Sequence, residues 1–120
     1  MKIGDKYRLT HVVTEKDTAS ASGSGGLLVY ATPAMISLME KTAYTYAAEK
    51  GCQTVGTKVD ICHMKASKVG TEVHSTAELT EVDGRRLVFK VSVSDGENLL
   101  GEGVHERFVI DPERFMAKLG

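Results

Sequence analysis

The segment TPAMISLMEKTAYTYAAEKG, Thr32 to Gly51, decides how the chain folds. Met35, Leu38, Met39, Ala43, Tyr46 and Ala47 recur in it at helical spacing, and only Thr42 interrupts the stripe. Thr32 suits an N-cap. Pro33 suits the first helical position, where its missing N–H costs nothing, and Gly51 supplies the stop. The pattern predicts one long helix from Pro33 to Lys50.

C-terminal to that helix the chain reads as antiparallel sheet. Thr54 to Lys65, Thr71 to Val82, Arg85 to Ser94 and Leu99 to Ile110 are strand-like, and the Asp83-Gly84 and Asp95-Gly96 pairs mark tight turns. Leu87, Phe89, Val91 and Val93 share one face of their strand. The last strand alternates less cleanly, because Glu102 and Glu106 fall in the row of Leu100, Val104 and Phe108; a bulge would re-aim them. Asp111-Pro112 opens a short helical turn. N-terminal to the helix, Tyr7 to Val13 reads as a first strand and Leu27 to Tyr30 as a strand stub. Between them, Thr14 to Gly26 is small, polar and Gly/Ser-rich, and is expected to be a mobile loop. Strand, helix and four strands define an α+β layer architecture. One helix covers only part of such a sheet, so a homodimer that joins two sheets is expected.

The 120 residues form one domain, residues 1–120. Fifteen basic and 16 acidic residues nearly cancel, giving a net charge of -1, so no global attraction to nucleic acid or an acidic membrane is expected. Trp is absent and aromatics are 6%, which argues against stacking platforms for single strands. Two cysteines, Cys52 and Cys62, make no disulfide framework. With no apolar signal core at Met1–Lys6 and no apolar run long enough to span a bilayer, a cytoplasmic protein is expected.

Three positions stand out for chemistry. Thr32 places a hydroxyl at the positive end of the helix, where anionic intermediates are stabilised, although a capping threonine often only caps. Glu40 lies mid-helix among Ile36, Ser37, Ala43 and Tyr44 rather than Lys or Arg, and a partly desolvated carboxylate costs free energy unless something uses it. His63 continues the Thr57, Val59, Ile61 row; there it is either a satisfied interface histidine or a reactive one. His74 shares a face with Glu72, Thr76 and Glu78 and reads as solvated. His105, beside Glu106 and Arg107, has no clear face. Cys52, Cys62, His63 and His74 lack zinc-ligand spacing, so no metal is expected, and no phosphate loop, dinucleotide fingerprint or nucleophile elbow is present.

The segments ATPAMISLME (Ala31–Glu40), VGTKVDICH (Val55–His63), EVDGRRLVFKVSVSDG (Glu81–Gly96) and GEGVHERFVID (Gly101–Asp111) together resemble the hotdog-fold thioesterases, most closely the fluoroacetyl-CoA thioesterase-like group. The resemblance implies a hotdog fold, in which a twisted antiparallel sheet wraps one long helix and two copies pair. It implies hydrolysis of a short or small acyl-CoA thioester, with CoA as part of the substrate and no other cofactor. By position, Thr32, Glu40 and His63 match the family's catalytic constellation. Gly56 matches the glycine that lines the acyl pocket, and Arg107 an arginine near it. Two departures stand out. Pro33 occupies the place of a glycine, so an oxyanion donor must come from another group, such as the amide of Ala34 or Met35. The Thr14–Gly26 loop also lacks the aromatic, proline-containing character of a fluoroacetyl-specific lid.

Thioester cleavage needs a nucleophile, a proton acceptor and a seat for the oxyanion. Glu40 fits a base or nucleophile, His63 a proton carrier, and Thr32 a carbonyl partner or alternative nucleophile. Eight residues of helix span about 12 Å, so Thr32 and Glu40 of one chain cannot meet, and a site composed of two protomers is expected. Lys58, Lys65, Lys68, Arg85 and Arg86 are candidates for the CoA phosphates. A non-catalytic module that binds an acyl-CoA or small acid is the alternative these residues also allow.

Overall fold

A computed structural model describes residues 1–120. In chain order, the elements are β1 (Lys6–Val12), a 3-10 turn (Glu15–Asp17), the single-turn helix α1 (Ala19–Ser22) and the long helix α2 (Thr32–Glu49). They continue with β2 (Thr54–His63), β3 (Glu72–Asp83), β4 (Arg86–Ser94), β5 (Leu99–Val109) and α3 (Pro112–Lys118). The strands form one antiparallel sheet in the order β1-β3-β4-β5-β2, with α2 packed on one face.

Helix α2 begins one residue earlier than its sequence suggests. Ala31 is the N-cap, Thr32 is the first helical residue, and no side chain caps the start. The Thr32 hydroxyl is therefore free of the capping duty and turns elsewhere. Gly51, at φ 85°, ends the helix in the left-handed region that a Cβ disfavours. The buried face is Met35, Met39, Thr42, Ala43, Tyr46 and Ala47, so Thr42 belongs to the stripe rather than breaking it. It can be buried because its hydroxyl donates to Leu38 O at 2.7 Å and meets Ser75 Oγ at 2.7 Å. Opposite it, Leu87, Phe89, Val91 and Val93 are each 0% exposed.

Three bulges shape the sheet, at Thr57, Thr80 and Leu100, where pairing skips one residue. The last one resolves the irregular strand. Val93 pairs with Gly101 and Ser94 with Leu99, so the extra residue Leu100 shifts the alternation. Beyond it the row facing α2 carries His105 and Arg107, both buried, while Val104 is left exposed. Strand β2 lies at the sheet edge, and Gly56 to Asp60 along it are exposed.

The segment Thr14–Gly26 is not the loose loop its composition suggests. Asp17 Oδ2 accepts from the Thr14 amide at 2.7 Å and its hydroxyl at 3.0 Å, and lies 2.7 Å from His11 Nε2. Thr18, 0% exposed, caps α1 by accepting from the Ala21 amide and donates its hydroxyl to Glu15 O. Backbone bonds Ala19 N to Val29 O and Ser20 N to Leu27 O zip the returning chain onto it. The expected strand stub is reduced to single bridges of Val29 with Lys68 and Tyr30 with Thr18. No helix is long and apolar enough to cross a membrane.

Burial raises the Asp17 pKa, but the Thr14 and His11 contacts more than offset this and hold the carboxyl below its usual range. A depressed folded pKa stabilises above the unfolded value, about 3.9, and the contribution vanishes as pH falls through the folded one. Replacing Asp17 by Ala is expected to cost about 1–2 kcal/mol. It should speed amide exchange from Ala19 to Tyr30 while β3 and β4 stay protected. Equal protection in the variant would show that Asp17 does not hold this segment.

Candidate active site

Helix α2 and strands β2 and β5 carry Thr32, Glu40, Gly56, His63 and Arg107. At the N-terminal end of α2, Thr32 Oγ1 lies 2.8 Å from Nδ1 of His63, the last residue of β2. With the imidazole proton on Nε2, Nδ1 accepts the threonine hydrogen, the polarity that activating a hydroxyl requires. His63 Nε2 is shielded from solvent and has no hydrogen-bond partner within the chain. The Tyr30 ring meets the imidazole edge-on at 6.4 Å, and its own hydroxyl is buried and unpartnered, so burial pushes its pKa up. A cleft of about 360 Å³ opens here, with Thr32, His63 and Lys65 in its lining.

Glu40 belongs to a second cluster. It is half-buried and faces a shallow cleft of about 400 Å³ shared with Ser37, Lys41, Tyr44, Gly56 and Arg107. Gly56 is what leaves this space open. A methyl group there would lie 3.0 Å from Glu40 Oε1 and 3.3 Å from both Arg107 Nη1 and His105 Cε1. Arg107, 7% exposed, is held by Thr54, whose Oγ1 accepts from Nε at 2.8 Å and whose carbonyl accepts from Nη2 at 3.1 Å. Its guanidinium also lies over the Tyr44 ring at 5.6 Å. Burial pushes the Arg107 pKa down, and the charge of Glu40 opposes that shift.

One chain thus brings Thr32 to His63 and Glu40 to Gly56 and Arg107, but it does not join the two groups. His105 was missed in the sequence. It is 1% exposed, sits against Arg107, and its Nδ1 lies 2.8 Å from Lys58 O. Burial, the largest effect, pushes its pKa down. The Arg107 charge adds to this, while the Lys58 hydrogen bond, Glu40 and Glu106 oppose it. The available signal was the i, i+2 spacing of His105 and Arg107, which puts them on one strand face once Leu100 is recognised as the bulge.

Of the basic candidates, Arg86 is committed to Glu106 at 2.9 Å and Glu81 at 2.8 Å. Lys65 borders the Thr32–His63 cleft. Of the amides proposed for an oxyanion, Met35's already bonds Ala31 O at 3.0 Å, which leaves Ala34 at the open first turn. The most voluminous cleft, about 540 Å³ between β5 and α3, is lined in part by Arg85 but by none of Thr32, Glu40, Gly56, His63 and Arg107, and chemistry rather than volume locates the site.

A single long helix on a five-stranded antiparallel sheet is the architecture of the hotdog-fold thioesterases. A Thermus thermophilus thioesterase superfamily member superposes with a TM-score of 0.89 over 98% of this chain and 90% of its own, at 23% identity, and so supports the fold. Residues 13–113 match the family model for fluoroacetyl-CoA-specific thioesterase, and the chain belongs to that family. It is 43% identical over 94 residues to the fluoroacetyl-CoA thioesterase of Streptantibioticus cattleyicolor, covering 76% of this chain and 68% of that protein. A solved structure of a fluoroacetyl-CoA thioesterase superposes with a TM-score of 0.91 at 34% identity, over 99% of this chain and 95% of the other. A variant of that thioesterase solved with acetyl-CoA superposes with a TM-score of 0.92 at 34% identity, over 99% of this chain and 96% of the other.

The crowding at Gly56 gives a direct check. Gly56→Ala is expected to leave the circular-dichroism spectrum intact and to lower thioester hydrolysis about tenfold or more, because the methyl group occupies the space between Glu40, Arg107 and His105. Undiminished hydrolysis would place the acyl group elsewhere.

Proposed function

We propose that this protein hydrolyses small acyl-CoA thioesters at a site completed by two protomers, with Thr32 and His63 from one and Glu40, Gly56 and Arg107 from the other. The observation that carries the reading is the 2.8 Å contact between Thr32 Oγ1 and His63 Nδ1. Glu40 of the same chain stands about 12 Å along the helix from Thr32. Strand β2 supports the pairing, because it is an edge strand with an exposed Gly56–Asp60 run. If two copies pair antiparallel through β2, the end that carries His63 falls opposite the end that carries Gly56, beside Glu40 and Arg107.

In this scheme His63 takes the Thr32 proton as Oγ1 attacks the thioester carbonyl, and the carbonyl oxygen becomes an oxyanion near the open first turn of α2. The C–S bond breaks, the acyl group passes to Thr32, and His63 returns the proton to the departing CoA thiolate. Glu40 of the partner subunit then accepts a proton from the water that attacks the acyl-threonine carbonyl; as the ester C–O bond breaks and the acid leaves, that proton restores the Thr32 hydroxyl. CoA enters as part of the substrate and the scheme calls for no other cofactor. Lys65 lies on the cleft rim, where a CoA phosphate is accessible to it. The close walls over Gly56 favour a small acyl group, in keeping with relatives that hold acetyl-CoA or fluoroacetate with CoA. An acyl-CoA substrate and two free cysteines fit a cytoplasmic enzyme.

Thiol release from acetyl-, fluoroacetyl-, propionyl-, isobutyryl- and benzoyl-CoA tests the activity, with turnover expected to fall as the acyl group grows. Glu40→Gln and His63→Ala should each lower kcat by about a hundredfold or more in a folded dimer; near-normal rates in both would overturn the assignment. Mixing Thr32→Ala chains with Glu40→Gln chains should restore one of two sites, whereas uniformly inactive mixed dimers would refute a shared site.

A further inference from the structure

The contact between His105 and Arg107 has only one chemically consistent polarity. A guanidinium has five N–H donors and no acceptor. Arg107 spends Nε on Thr54 Oγ1 at 2.8 Å, one Nη2 hydrogen on Thr54 O at 3.1 Å and one Nη1 hydrogen on His105 Nε2 at 3.1 Å. Nε2 of His105 therefore accepts and carries no proton. At the other end of the ring, Nδ1 faces the Lys58 carbonyl at 2.8 Å, which can only accept. Nδ1 must carry the hydrogen, so the tautomer follows from partners that cannot reverse roles. Lys58 is the residue just past the Thr57 bulge, so the same irregularity that admits Gly56 to the cleft sets the carbonyl that anchors the ring.

We infer that His105, as a neutral imidazole protonated on Nδ1, is a positioning residue that holds the Arg107 guanidinium toward the acyl group and away from the Glu40 carboxylate. The inference rests on the thioesterase reading above. Two guanidinium hydrogens, one on each Nη, remain uncommitted, and Nη1 stands 3.3 Å from where a methyl on Gly56 would be. Glu40 Oε1 stands 3.0 Å from that same point. A guanidinium released from His105 can swing across this gap and pair with Glu40, which would bind up the carboxylate that the reaction needs free. His105 and Thr54 hold it from behind, and the Tyr44 ring flanks it. The charged groups around His105 are Glu40 on α2 and Arg107 and Glu106 on β5, while β2 presents the neutral Lys58 carbonyl.

Two variants and one spectrum test this. His105→Gln places an amide oxygen near the position of Nε2 and retains an acceptor for Arg107. His105→Asn keeps a donor for Lys58 O but falls short of Arg107. The Asn variant is expected to lose about tenfold or more in kcat/KM, while the Gln variant stays within about threefold of wild type. The kcat/KM acid limb of the Asn variant should also move to lower pH, as Arg107 pairs with Glu40. Equal effects of the two substitutions would mean a merely structural histidine and overturn the inference. Nitrogen-15 spectra of the wild-type imidazoles provide a readout independent of any variant's folding. His105 should show the neutral Nδ1–H form at about pH 6.5, where an ordinary histidine is half charged; an Nε2–H or cationic ring would also overturn it. If the wild type released no thiol at all, the thioesterase reading would fail, and the spectrum would still decide the tautomer.

Discussion

The rise of an α-helix separates the reactive groups of this protein. Thr32 and Glu40 ride on the same 18-residue helix, and eight residues of rise hold them about 12 Å apart. Met35, Met39, Ala43 and Ala47, each no more than 1% exposed, lock that helix onto the sheet, so it cannot bend to bring them together. The chemistry has to be assembled around this spacing. His63, from the far end of β2, serves Thr32 directly, whereas Glu40 is left facing outward beside the near end of the same strand. In the proposed scheme, a helix that works as a spacer makes each chain half of two sites rather than the whole of one.

The second organising element is a pair of bulges. The one at Leu100 turns His105 and Arg107 toward the helix, and the one at Thr57 sets Gly56 and Lys58 opposite them. A guanidinium at 7% exposure would be costly without partners. Here Thr54 and His105 take three of its hydrogens, and Glu40 lies nearby with the opposite charge. The result is a buried cation whose remaining donors face one small space. The absence of a side chain at Gly56 is as much part of this arrangement as the arginine itself.

Much of this was legible in the sequence because it follows from periodicity. The stripe from Met35 to Ala47 and the row from Leu87 to Val93 bury as their spacing requires, and the β3–β4 and β4–β5 pairings follow from turns at Asp-Gly pairs. Thr32, Glu40 and His63 stood out by their position and neighbours, and Gly56 and Arg107 through the family resemblance. What escaped depends on single residues that shift a register or close a local network. Nothing in the pattern of Leu99–Val109 says which residue bulges, so His105 could not be assigned a face. Composition also misled at Thr14–Gly26, because small polar residues are counted as flexible when averaged. Thr14, Asp17 and Thr18 instead use their side chains to satisfy the backbone at specific positions.

The start of α2 shows how one substitution redistributes duties without abolishing them. Pro33 removes an amide from the first turn, and the Met35 amide is spent on Ala31 O. The Ala34 amide is then the one of the two that the turn leaves open. Because no side chain caps this helix end, its partial positive charge remains uncompensated by the protein itself. A capping hydrogen bond from Thr32 would have quenched that field and occupied the hydroxyl. By taking the first helical position instead, Thr32 leaves the field in place and presents its oxygen to His63. The same residue type at the cap would have stabilised the helix; one position further on, its hydroxyl is left to meet the His63 imidazole.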